Sequence, residues 1–70
     1  MRPLTFANRG EQCTVAEVHG KTEIKRFLAN LGFVEGTKVT VISELDGNLI
    51  VNVKDARIAL SKPMAAKIYV

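Results

Sequence analysis

Apolar and polar positions change their spacing several times along this chain, and each change falls beside a turn-forming residue. Residues 12–18, Gln-Cys-Thr-Val-Ala-Glu-Val, are rich in β-branched side chains and end at His19-Gly20. Cys13 and Val15 alternate as on one buried strand face, and Val18 breaks the alternation, which predicts a bulge or a strand end near Ala16–Val18. From Thr22 the period lengthens. Ile24, Phe27, Leu28 and Leu31 stand at i, i+3, i+4 and i+7, one apolar stripe of a helix over Thr22–Leu31. Thr22 is placed to serve as N-cap, Glu23 puts negative charge in the first turn, and Gly32 follows as a left-handed stop. Phe27 is expected to be buried with the stripe, while Lys25, Arg26 and Asn30 point away from it.

After Phe33-Val34-Glu35-Gly36 the period returns to two. Val39 and Val41 alternate with Lys38 and Thr40 in a strand over residues 37–45, and Asp46-Gly47-Asn48 signals a hairpin. Leu49, Val51 and Val53 share one face of the return strand, residues 49–54, and Asp55-Ala56 marks a second tight turn. Residues 57–60 form a third, short strand. Ser61 can cap one helical turn over residues 62–65, with Pro63 in the first turn where no N–H is missed. Lys67-Ile68-Tyr69-Val70 closes the chain as a strand. About five short strands and one short helix, inserted after the first strand, predict a mainly β fold. A small SH3-like barrel, closed or half-closed, hides the edges that an open sheet of that size would expose.

Composition narrows the function. Seventy residues make one domain, residues 1–70, and a chain of this size buries only about 60% of its unfolded surface. No apolar run approaches the roughly 18 residues that cross a bilayer, and Met1–Thr5 carries no signal-peptide core. One cysteine, Cys13, can neither staple a secreted fold nor build a cysteine-rich zinc site, so a cytoplasmic location is expected. Net charge is +3, from ten basic and seven acidic side chains spread without a like-charged run.

Candidate chemistry is sparse. The five glycines punctuate turns and form no phosphate loop. Cys13 and His19, six residues apart on a strand, would stand about 20 Å from each other, beyond the reach of a nucleophile–base pair. We therefore expect no enzyme and no catalytic residue. No metal-ligand spacing is present and no resident cofactor is expected; Glu17 and His19, at i and i+2, are the one pair that could contribute to a weak transition-metal site, for ferrous iron as candidate, with Met64 as a further donor. Nucleic-acid binding needs aromatics interleaved with basic residues, and Phe6, Phe27, Phe33 and Tyr69 do not supply such a cluster. A basic barrel that binds nucleic acid is the lesser alternative. Protein binding fits best: the outer helix face with Lys25, Arg26 and Asn30, continuing into the Leu31-Gly32-Phe33 turn, is the candidate docking patch. The alternative has Phe33 folding back as a plug of the barrel and the charges solvated.

The segment Ile24–Val39 resembles the signature of the FeoA domain family, in which Arg-x-Leu is followed by Leu-Gly-hydrophobic and then Gly-x-x-Val. Here these are Arg26-Phe27-Leu28, Leu31-Gly32-Phe33 and Gly36-Thr37-Lys38-Val39. Downstream, Ile58-Ala59-Leu60, Ala65-Ala66 and Ile68-Tyr69-Val70 are similar to the family's closing segment, and Leu4, Gly10 and Val15–Val18 to its opening. Glu35 stands where proline is common in the family. The resemblance implies an SH3-like accessory protein of bacterial ferrous iron uptake, whose partner is the cytosolic side of a FeoB-type transporter. It also implies kinship with the C-terminal domain of metal-dependent repressors, which makes a transition-metal-binding regulatory module the main alternative. A monomer is the expected state.

Overall fold

The computed structural model describes all of residues 1–70. A short 3-10 turn, Leu4–Phe6, precedes β1 (Gln12–Thr14) and β2 (Glu17–Val18). Helix α1 (Thr22–Asn30) leads into the meander of β3 (Lys38–Leu45), β4 (Asn48–Val53) and β5 (Ala56–Ser61). A single helical turn, α2 (Lys62–Ala65), and β6 (Ile68–Tyr69) complete the chain. One sheet runs in the order β1-β3-β4-β5, and β2 pairs with β6 in a separate antiparallel ribbon.

The fold is the mainly β, SH3-like arrangement expected, with one difference. There are six strands rather than five, because the 12–18 segment divides at Val15–Ala16 and sends its halves to different sheets. The division falls where the alternation breaks. The barrel is not closed, for no ladder joins β5 to the β2–β6 ribbon.

Each meander turn follows from backbone stereochemistry. Asp46 and Gly47 both take positive φ, 51° and 81°, between the paired residues Leu45 and Asn48, a two-residue turn matched to strand twist. The next turn lies at Lys54-Asp55, one residue earlier than the sequence suggests, with φ of 48° and 65°. Neither residue is glycine, so this turn is held by the pairing of Val53 with Ala56 around it rather than by local preference. β3 carries a bulge at Ile42, where the register against β4 slips between Val41 and Ser43. As expected, Leu49, Val51 and Val53 are buried on one face of β4.

The helix begins at Thr22 itself, so its cap lies one residue earlier than expected. Lys21, with extended backbone and no side-chain cap, occupies the N-cap, and Thr22 is already helical. Its C-terminus ends in a Schellman motif: the Phe33 amide donates to the Leu28 carbonyl at 2.9 Å and the Gly32 amide to Ala29 at 2.9 Å. Gly32 takes φ of 110°, and a Cβ there would meet Val53 Cγ2 at 3.3 Å. Ser61 caps α2 as expected, its hydroxyl accepting from the Met64 amide at 3.4 Å. The core gathers Leu28 of the helix, Phe33, the inward faces of β3 and β4, Ile68 of β6 and Leu4 of the N-terminal turn.

Candidate functional site

The docking patch read from the sequence divides in two. Lys25, Arg26 and Asn30 are exposed on α1, and neither cation forms an ion pair. The turn does not join them. Phe33 is 1% exposed, Gly32 is buried and Leu31 is half-buried. The Schellman closure causes this, since it reverses the chain after Leu31 and carries Phe33 inward onto Leu28. Phe33 is a core residue and offers no side chain to a partner. Phe27 corrects the opposite expectation, being 49% exposed. The helix rests on Leu28, with Ile24 and Leu31 half-buried on either side, and the residue before Leu28 is rotated about 100° from the line of contact. The exposed side of α1 therefore presents Phe27 with Asn30 one turn on and Arg26 next to it, Lys25 further round, and Val34 exposed in the turn beyond.

A second cluster lies on the β2–β6 ribbon. The expected meeting of Glu17 and His19 is present: His19 Nε2 and Glu17 Oε2 are 2.8 Å apart. The sequence did not reveal Tyr69 as the third member. Its ring stacks on the imidazole with centroids 4.2 Å apart, placed there by the pairing of Glu17 with Tyr69 and by the His19 amide donating to the Lys67 carbonyl. That register joins segments from opposite halves of the chain, so no local pattern could announce it. The pair lacks a third histidine, cysteine or carboxylate donor. Met64 is half-buried against the core, as a gap-filler would be. Two donors and an aromatic ring do not fit a resident metal ion.

A third cluster ties the N-terminal segment together. Arg2 pairs with Glu11 and also donates Nη1–H to the Phe6 carbonyl at 3.1 Å. The Asn8 amide donates to Glu11 Oε1 at 2.8 Å. The Asn8 hydrogen bond, and after it the Arg2 guanidinium, hold the Glu11 carboxyl below the usual glutamate range. Burial, reinforced by the Glu11 charge, pushes the Cys13 thiol up, so it stays neutral as a small core hydrophobe.

A family model for the FeoA domain matches residues 2–70, nearly the whole chain. The chain belongs to the FeoA family. Its FeoA-domain sequence is 33% identical, over 70 residues, to the "Putative Fe(2+) transport protein A" of Methanocaldococcus jannaschii, covering all of this chain and 85% of that one. Among solved structures, an iron uptake regulatory protein (FeoA) superposes with a TM-score of 0.87 at 25% identity, covering 96% of this chain and 89% of that one. The FeoA of Stenotrophomonas maltophilia, solved with zinc and described as a procaryotic SH3-domain protein, gives 0.83 at 29% identity, with 96% and 86% covered. A manganese-dependent transcriptional repressor gives 0.87 at 26% identity; this chain matches only 40% of its length. The FeoA frame thus occurs both as a small protein and as one part of a larger regulator.

Proposed function

We propose that this protein is a non-enzymatic, cytosolic accessory factor of ferrous iron uptake that docks through the outer face of α1 on the cytosolic part of a FeoB-type transporter. Membership of the FeoA family and the name of the Methanocaldococcus relative support the iron-transport part. One observation supports the docking part: Phe27 stands half-exposed on α1, with Asn30 one turn on and Arg26, a cation without an intramolecular ion pair, next to it around the helix. An exposed aromatic ring flanked by an arginine without an ion pair has the composition of an interface centre that meets an acidic partner. The docking residues are therefore Lys25, Arg26, Phe27 and Asn30, and the buried Gly32 and Phe33 act by holding the turn.

The test is an amide NMR titration of the labelled protein with the transporter's soluble cytosolic domain. Shifts concentrated on Lys25–Val34 are expected, and Arg26→Glu with Phe27→Asp should weaken binding at least about tenfold, equivalent to roughly 1.4 kcal/mol. Unaltered binding by that folded double variant removes the helix face from the reading. A metal-presenting role is the other reading, favoured only by the Glu17–His19 contact. Unchanged ferrous affinity in His19→Ala eliminates it.

A further inference from the structure

Three observations meet at one place outside the helix face. The first is a free sheet edge. β1 pairs with β3 only from Lys38 to Thr40, and the chain before it stays alongside for one residue more, with the Gly10 amide donating to the Val41 carbonyl and the Val41 amide to Glu11. The chain then turns away through Asn8–Glu11. From Ile42 to Leu45, β3 has a strand neighbour on the β4 side alone, and Ser43–Leu45 makes no backbone hydrogen bond outside that ladder.

The second is a cleft of about 240 Å³ along the same stretch. Thr5, Ala7 and Arg9 of the N-terminal segment line it together with Val41, Ser43 and Glu44 of β3 and Leu49 of β4. The N-terminal side carries a large exposed apolar neighbour: Phe6, between two lining residues, is 69% exposed.

The third is charge. Glu44 is neutralised by Lys62, whose Nζ lies 2.7 Å from its Oε1. Arg9 has no carboxylate partner. Its Nε donates to the Ile42 carbonyl at 3.2 Å, which covers the first edge carbonyl and leaves the Nη groups unpaired. The unbalanced charge of the cleft is thus one guanidinium with free donors.

We propose that this cleft binds an extended, acidic peptide segment of a partner protein as an added strand on β3. The peptide continues the line that β1 leaves at Gly10, and its backbone pairs with the outward N–H and C=O of Glu44, since those of the alternate residues Ser43 and Leu45 face β4. A glutamate or aspartate side chain of the peptide accepts from Arg9 Nη. Four residues of strand span about 13 Å. The cleft has no aromatic lining, so it does not suit a polyproline helix. It shares no residue with the α1 face and does not rest on the transporter reading.

The experiment titrates the labelled full chain with a panel of heptapeptides of alternating Thr and Val, capped at both ends, carrying one Glu at each position in turn. A matched panel carries Lys instead. The expected result is shifts across residues 42–45 and new hydrogen-exchange protection at the Glu44 amide with at least one Glu peptide. The Lys counterpart should bind about tenfold more weakly, and so should the Glu peptide to Arg9→Ala, in line with a charge-assisted hydrogen bond. Arg9 is exposed, so an otherwise unchanged amide spectrum verifies that the variant is folded. No binding by any Glu peptide at millimolar concentration, equal binding of the Lys panel, indifference to Arg9→Ala, or shifts gathered on α1 would each overturn the proposal.

Discussion

The β3–β5 meander and the ribbon of chain ends are built on opposite principles. In the meander, consecutive strands pair through two-residue turns, so every partner lies close in sequence. In the ribbon, β2 meets β6, Pro3 bridges to Tyr69, and Arg2 and Val70 exchange both backbone hydrogen bonds, at 3.0 and 2.8 Å. Contacts of the second kind bear the full loop-closure entropy before any reward is returned. The meander is expected to form first and the ribbon to close last.

Two substitutions of similar chemistry can break that comparison. Leu60→Ala in β5 and Ile68→Ala in β6 each remove a buried side chain, and each should cost about 2–5 kcal/mol in denaturant unfolding. Their kinetics should differ. Leu60→Ala should slow folding, whereas Ile68→Ala should mainly speed unfolding. Equal slowing of folding by both would place the ribbon in the nucleus and end the distinction. A smaller loss, about 1–3 kcal/mol, is expected for Gly32→Ala, which forces an alanine to positive φ and its Cβ toward Val53. Lys54→Gly should act in the opposite direction. It relieves a left-handed lysine in the meander's second turn and should raise stability by about 1 kcal/mol or less.

Acid should loosen the chain ends before the meander. The Glu11 carboxyl is held below its ordinary value in the folded state, so its contribution is complete above about pH 4.3, the value of a free glutamate. It declines as pH falls from there through the lowered native value. Hydrogen exchange at decreasing pH should open the Arg2–Glu11 segment first, and Glu11→Gln should abolish that difference. The smallest effect on stability belongs to Phe27→Asp, within about 0.5 kcal/mol for an exposed site, although the proposed docking face would be lost.

The same division explains what could be read from the chain. The meander was legible because alternation at Leu49, Val51 and Val53, and the Asp46-Gly47 turn, are local signals of a local structure. The core role of Cys13 and the Ser61 cap were legible for the same reason. The Tyr69 stack on His19 and the Arg2–Glu11 pair were not, since they depend on a register between distant segments. Phe27 left its expected place, and Phe33 took the plug position rather than the docking one, for a subtler reason. Helical periodicity locates a stripe to within one residue's rotation, about 100°, and a nine-residue helix buries only its centre. Gly32 did signal a helix stop, and the reversal it produces is what turns Phe33 inward.

The exchange of hydrogen bonds between Arg2 and Val70 has an architectural consequence. The two ends of the chain emerge side by side, so the path that enters this domain and the path that leaves it share one doorway. Such a unit can hang from another polypeptide at either end, or interrupt one as a loop, without prying apart its own interior. Joining Val70 to Met1 through a short flexible linker and reopening the chain at Asp46-Gly47 should accordingly yield a permuted protein with the same core.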